Sequence, residues 1–239
     1  MDEIAPLGPG RTPTTRRPLL GMTVLVVEDS RYASEALRLM CLHSGARIRR
    51  ADCLRAARRH LQVYRPSVVI VDLGLPDGSG LDLIAELSRA VPRVGALIAT
   101  SGELNAEQPA LAAGADAFLG KPLVALGSFQ HAILSVLPPE RRPAEPALVN
   151  TETVKPDTLA YRDDMHHVAD LLEEPHSGPV LDYVAQFLGS VAAAAEDGQM
   201  HAAAQDLSRA LRANRPFPRP EIAHLLCLVK ERTSDRVAI

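Results

Sequence analysis

Short apolar runs alternate with longer stretches of helical periodicity through the first 137 residues. The runs are 23–27, 46–51, 68–71, 96–99 and 117–120; all but the second, which carries three arginines and reads as a short strand, are rich in apolar residues. Apolar runs of this length, closed by a polar residue, read as strands buried on both faces of a parallel sheet. The segments between them are long enough for crossover helices. Ser30 can cap the first, whose apolar positions include Ala33, Leu37, Met40 and Cys41, with Gly45 as its stop. Leu54, Ala57, Leu61 and Val63 mark the second helix and its exit. Leu81, Ile84, Leu87 and Val91 mark the third. A weaker fourth helix is expected over 104–113 and a fifth over 124–137. Five strands alternating with five helices predict an α/β fold with a doubly wound, five-stranded parallel sheet.

The pattern changes after residue 137. Pro138, Pro139, Pro143, Pro146 and Pro156 predict an extended linker over 138–157. Residues 158–239 contain no convincing strand. Helices are expected at 158–174, 180–196, 199–214 and 220–235, forming a small all-helical unit. Tyr183, Phe187, Leu188 and Val191 share one helical face. Met200, Ala203, Leu207, Ala210 and Leu211 share the next, and Asp197-Gly198 between them suits a tight helical hairpin. Residues 1–20, with four prolines and three arginines, are expected to be a disordered leader, leaving 21–137 as the α/β unit.

Charge separates the two halves. Residues 1–139 hold 15 basic and 13 acidic groups, whereas residues 140–239 hold 11 and 16. The acidic balance of the second half opposes a nucleic-acid surface there. No run approaches the ~18 apolar residues of a membrane span, so no membrane association is expected. The three cysteines, Cys41, Cys53 and Cys227, are scattered without metal-ligand spacing, which suits a reduced cytoplasmic protein.

The chemistry lies where the strands end. Open α/β sheets bind ligands outside the carboxyl ends of their strands. Glu28 and Asp29 follow the first run, Asp72 the third, Thr100 the fourth, and Lys121 the fifth. Three acids, a hydroxyl and an ammonium should meet in one crevice. Crowded carboxylates repel one another unless a cation sits among them, and a hard ion such as Mg²⁺ prefers such oxygen ligands. An ionised Asp72 could then act as a nucleophile toward a phosphoryl group. The cation, Lys121 and Thr100 are the groups available to stabilise the charge that develops.

The residues Val24-Leu25-Val26-Val27-Glu28-Asp29-Ser30, Val71-Asp72-Leu73-Gly74-Leu75-Pro76-Asp77-Gly78-Ser79-Gly80-Leu81, Ala99-Thr100-Ser101-Gly102 and Gly114-Ala115-Asp116-Ala117-Phe118-Leu119-Gly120-Lys121-Pro122 carry a resemblance. Over about 22–137 the chain resembles the receiver domain of bacterial two-component response regulators, the chemotaxis-type receiver included. The resemblance implies that Asp72 accepts phosphate from a sensor histidine kinase or a histidine phosphotransfer protein. It implies Mg²⁺ held by Asp29, Asp72 and the Gly74 carbonyl, with Glu28 assisting. It makes Thr100, Ser101 and Lys121 phosphate-binding residues, and Thr100 with Phe118 the switch pair. Pro122 matches a cis-proline turn. It implies a signalling protein whose only chemistry is its own phosphorylation and dephosphorylation, rather than an enzyme. Two positions depart from the family's common forms. Gly74 and Gly102 offer no side chain where the family's side chains help or block the water that removes the phosphate. Slow self-dephosphorylation is the expectation.

The helical unit leaves three functions open: a phosphorylation-controlled protein-interaction module acting on an unknown partner or by homodimerisation, a DNA-binding output, or a phosphorelay intermediate. His166, His167 and His201 lack the lysine-glycine pair usual in histidine phosphotransfer domains, and read as surface or interface residues.

Overall fold

The computed structural model describes residues 12–103, 105–143, 151–173, 178–213 and 218–234. Strands β1 (Thr23–Val27), β2 (Arg47–Ala51), β3 (Val68–Asp72), β6 (Ala96–Ser101) and β7 (Ala117–Gly120) form one parallel sheet in the order β2-β1-β3-β6-β7. A small antiparallel pair, β4 (Gly74–Leu75) and β5 (Gly78–Ser79), follows β3. The helices of this half are α1 (Arg31–His43), α2 (Leu54–Val63), α3 (Gly80–Ser88), α4 (Glu107–Ala113) and α5 (Leu126–Val136). The doubly wound α/β fold expected from the sequence is therefore present.

Strands β1, β3 and β6 read as continuous apolar runs because both faces of the sheet are covered there, whereas the edge strand β2, Arg47–Ala51, is largely exposed. Val24, Val26, Val68, Ile70 and Ile98 pack with Leu37, Met40, Phe129 and Ile133 of α1 and α5. Their alternates Leu25, Val27, Val69, Val71 and Leu97 pack with Leu54, Leu83, Ile84 and Ala110 of α2, α3 and α4. Alternation along a strand sends successive side chains to opposite faces.

The second half holds α6 (Thr158–Glu173), α7 (Gly178–Ala194), α8 (Gly198–Arg212) and α9 (Arg219–Ser234). Met165, Val168, Leu181, Val184, Leu188, Met200, Leu207, Leu225 and Val229 form its own buried core. The Asp197-Gly198 turn joins α7 to α8, and the Asp197 carboxylate accepts from the Met200 amide as the cap of α8.

Several expectations need correction. Residues 1–11 of the expected leader lie outside the described residues, but 12–20 are not loose. Leu19 is fully buried in the core, and its amide donates to Ser44 O at 2.9 Å. The apolar pair Leu19-Leu20 sits too near the proline-rich stretch for composition to separate them. Of the expected linker, 144–150 lie outside the described residues. Val154 is buried, and its amide donates to Val124 O at 2.8 Å, so that part is fastened to the α/β half. The third helix stops at Ser88, and Val91 is 96% exposed. The fourth begins at Glu107 rather than 104, which puts Pro109 in its first turn, where the missing amide is tolerated.

Candidate functional site

Register brings the strand-end residues together. Asp72 closes β3 and pairs in register with Thr100 on β6. Glu28 and Asp29 leave β1, and Lys121 follows β7 with its amide bonded to Ser101 O at 2.8 Å. Ser30 then caps α1 by accepting from the Ala33 amide at 2.9 Å, as its position predicted. The β3–α3 connection approaches closely enough that a Cβ on residue 80 would lie 2.0 Å from Asp72 O, so Gly80 cannot carry a side chain. Asp77, in the same connection, accepts from the Leu54 and Arg55 amides at 2.8 and 3.0 Å and so caps α2.

Carboxylate oxygens of Glu28, Asp29 and Asp72 lie within 4.8 Å of one another. Lys121 Nζ is fixed between two of these acids. It donates to Asp72 Oδ2 at 2.9 Å and lies 3.1 and 2.8 Å from the two Glu28 oxygens. The Lys121–Pro122 peptide is cis. Burial, reinforced by the charges of Asp72 and Asp29, pushes the Glu28 carboxyl well above its ordinary range against the pull of Lys121. Burial and then the Asp72 charge push Asp29 up to about 6, although a bond from the Tyr183 hydroxyl opposes this. Burial alone would lower the Lys121 ammonium, but Asp72 and Glu28 hold it above the usual lysine range.

Three carboxylates face one ammonium, and buried Asp29 Oδ1 has no hydrogen-bond partner. An all-oxygen donor set with an excess of negative charge and a spare ligand atom fits a hard divalent cation. Gly74 lines the same cavity. Thr100 is fully buried, and its hydroxyl likewise has no partner. Ser101 and Gly102, rather than Thr100, line the cavity; the Ser101 hydroxyl accepts from the Glu103 amide at 3.1 Å. Phe118 is half-buried against the α2–α4 face of the sheet.

The expectation overlooked the opposite wall, which is helix α7. Tyr183, Gln186, Phe187, Ser190 and Val191 line the cavity across from the acids. The Tyr183 hydroxyl donates to Asp29 Oδ2, which holds it far above the usual phenol range on top of the effect of burial. Asp164 of α6 adds a second fastening. It accepts from the Ser30 hydroxyl at 2.8 Å and from the Arg31 and Tyr32 amides at 2.7 and 3.1 Å. Burial pushes the Asp164 carboxyl up to about 6, and these three donors pull the other way. His166 and His167 are exposed, and His201 Nδ1 lies 2.9 Å from Gly189 O, away from the acids.

The response regulator receiver domain family matches residues 24–133. This half of the chain is a response regulator receiver domain. Curated relatives include the KDP operon transcriptional regulatory protein KdpE of Escherichia coli, 36% identical over 101 residues, which are 41% of this chain and 44% of that protein. The virulence transcriptional regulatory protein PhoP of Salmonella typhimurium is 35% identical over 102 residues, covering 42% and 46%. The match therefore spans less than half the length of these relatives. Among solved structures, a putative response regulator from Chloroflexus aurantiacus covers 48% of this chain and 96% of its own, with 23% identity and a TM-score of 0.45. A Burkholderia pseudomallei response regulator with a phosphorylated aspartic acid, calcium ion and citrate covers 47% and 66%, with 26% identity and a TM-score of 0.43. In the receiver of this chain, β1, β3, β6 and β7 each deliver a charged or hydroxyl residue to one end of the sheet, and α6 and α7 lie over that end.

Proposed function

We propose that this chain is a response regulator in which Asp72 accepts a phosphoryl group from the phosphohistidine of a sensor kinase or phosphotransfer protein. One observation supports this above the rest. Lys121 Nζ sits 2.9 Å from Asp72 Oδ2, beside an acid cluster with an unpartnered oxygen on Asp29. Asp29 and Asp72, with Glu28 and the Gly74 carbonyl near them, would hold Mg²⁺. The ion would neutralise the acids and stabilise charge on the transferred oxygens. Asp72 attacks the phosphorus as the donor nitrogen leaves. Lys121 keeps the carboxylate oriented and binds a phosphoryl oxygen. Thr100 and Ser101 offer hydroxyls to the remaining oxygens, and movement of Thr100 toward the phosphate frees space for Phe118 to turn inward. The chain acts as a phosphoacceptor in the cytoplasm rather than as an enzyme on a separate substrate, and its helical half passes the signal to a protein partner.

Incubation with acetyl phosphate and Mg²⁺ should add one acid-stable, base-labile phosphoryl group. Asp72→Asn should abolish it, and chelation should prevent it. Undiminished labelling of Asp72→Asn would overturn the assignment. A second reading follows from KdpE and PhoP being named transcriptional regulators: the helical half would bind DNA. The acidic excess of residues 140–239 weighs against this, and a salt-sensitive DNA shift would restore it.

A further inference from the structure

Helix α7 stands where a phosphoryl group would have to go. Tyr183, Gln186 and Ser190 fall at helical spacing on one face of α7. The first bonds to Asp29, and the second donates through Nε2 to Glu103 Oε1 at 3.1 Å on the receiver. The two unusual glycines lie directly beneath the other two. A Cβ on residue 74 would sit 3.1 Å from Gln186 Oε1, and one on residue 102 would sit 3.2 Å from Ser190 Oγ. The space left between α7 and the acids is a cavity of about 20 Å³, enough for about one water. Phosphorylation adds a phosphorus and three oxygens to Asp72, and that group does not fit beneath the docked helix.

The glycines therefore gain a second reading. Their missing side chains leave room for a helix from the other half of the chain, and larger residues there would push Gln186 and Ser190 away. Much of the fastening is polar: Tyr183 on Asp29, Gln186 on Glu103, Asp164 on the start of α1, and an Arg31–Asp163 pair at 3.6 Å. Tyr32 of α1 adds an apolar contact, packing edge-on against Tyr161 of α6 with ring centres 6.0 Å apart. The bundle keeps its own core, with Leu181, Val184 and Leu188 turned into it, so it can leave without α7 unfolding. Polar interfaces between units of one chain permit such relative motion.

We propose that α7 is a removable cap on Asp72. Docked, it excludes the phosphodonor. Once Asp72 is phosphorylated, the cap cannot close, and the bundle is released as the output. This rests on Asp72 being the phosphoacceptor. Linkage makes the effect reciprocal: the factor by which docking disfavours phosphorylation is the factor by which phosphorylation weakens docking.

The test uses the full chain carrying Gly102→Cys and Ser190→Cys, with Cys53→Ser and Cys227→Ser to remove the accessible thiols. Ser190 Cβ lies 3.4 Å from the Cβ position on residue 102, a tenth of an ångström under the range of roughly 3.5–4.5 Å that disulfides span. Oxidised, the pair should lock the cap and slow labelling by acetyl phosphate and Mg²⁺ at least tenfold relative to the same protein reduced. Equal labelling in both states, or failure of the pair to cross-link, would overturn the proposal. A second readout needs no phosphate. In a Ser190→Cys chain with the same two serines, Cys alkylation should be slow at rest. It should be at least tenfold faster once Asp164→Ala and Tyr183→Phe are added. Equally fast alkylation at rest would overturn the cap. If neither redox state labels, the phosphoacceptor reading fails, and the alkylation rates still decide whether α7 covers the site.

Discussion

The receiver and the helical bundle use polar residues in opposite ways. In the receiver, polar groups gather where apolar strands stop, and the sheet register gives each a fixed place: Asp72 opposite Thr100, Lys121 just past β7. In the bundle the conspicuous polar groups lie on the surface that meets the receiver or at helix ends: Asp164, Tyr183 and Gln186 toward the receiver, Asp197 between α7 and α8. One half therefore contains a site and the other contains fastenings. Perturbing the site should change chemistry first, whereas perturbing the fastenings should change access and stability first.

The largest expected effect belongs to Lys121→Ala. The ammonium is buried between Glu28 and Asp72, and its loss leaves buried carboxylates without compensation. Breaking a buried pair costs about 3–5 kcal/mol, although protonation of Glu28, already raised by burial, relieves part of that. Phosphoryl labelling should fall by about 10²–10³, the scale for removing one preorganised electrostatic group. Denaturant unfolding and acetyl phosphate labelling measure the two effects. A labelling rate within threefold of the natural chain would show that Lys121 is structural only.

The strand-end site was legible because a continuous apolar run has a definite end, and open parallel sheets present that end to ligands. Glu28, Asp29, Asp72 and Lys121 meet as the spacing predicted. Thr100 arrives on the right strand, but its hydroxyl is shut away from the cavity. The cap was not legible. Asp164 reads as one more surface acid on α6, because a helix face does not name what it meets. Tyr183 was assigned to an apolar face with Phe187 and Val191, and all three do line one wall. Its hydroxyl and the neighbouring Gln186 and Ser190 were the signal available: a polar stripe on a helix whose other positions, Leu181, Val184 and Leu188, are buried. Gly74 and Gly102 were read for what they lack, and the structure shows what sits above them.

Asp164 sharpens the comparison at a middle scale. Asp164→Ala removes three hydrogen bonds to one carboxylate, and bonds to a charged acceptor contribute about 1.5–3 kcal/mol each without adding fully. The raised pKa of about 6 shows that the three bonds do not fully offset the burial of the charge, so the net loss of docking should be nearer about 2 kcal/mol. The receiver should then label faster at rest, and Asp164→Asn should have a milder effect. The sign of the pH dependence follows from the same shift. A folded-state pKa above the unfolded value stabilises docking below the unfolded value near 4, and the benefit is lost as pH rises through about 6. Asp29 shifts in the same direction. Hydrogen exchange in α6 and α7 should therefore slow from pH 7.5 to pH 5. Faster exchange at the lower pH, once corrected for the intrinsic rate, would contradict this account of the interface.

The smallest effect is the one that best separates stability from access. Asp197 caps α8 through the Met200 amide at 3.1 Å, and it also accepts from Arg232 Nε at 2.7 Å and from the Tyr161 hydroxyl at 2.9 Å. Burial alone would raise its carboxyl, but the Arg232 bond, the Met200 amide and Tyr161 together hold it down at about 2. A folded-state pKa below the unfolded one stabilises above the ordinary carboxylate value near 4 and is lost as pH falls through about 2. Asp197→Asn keeps an oxygen to cap α8, since Asn and Asp cap about equally well, and removes only the charge. At pH 7 the variant should be less stable by about 1 kcal/mol, the upper scale for a pair that solvent still reaches in part. The difference from the natural chain should shrink between pH 4 and pH 2. These bonds lie within the bundle, between α6, the α7–α8 turn and α9, and the one link from them to the receiver among the described residues is the edge-on contact of the Tyr161 ring with Tyr32 of α1. Labelling of Asp72 at neutral pH should therefore stay within about twofold of the natural chain, because a loss of about 1 kcal/mol leaves a bundle of ordinary stability folded. A tenfold change in labelling would mean that the bundle's internal stability and its grip on the receiver are coupled, and that the two halves do not divide chemistry from fastening as their residues suggest.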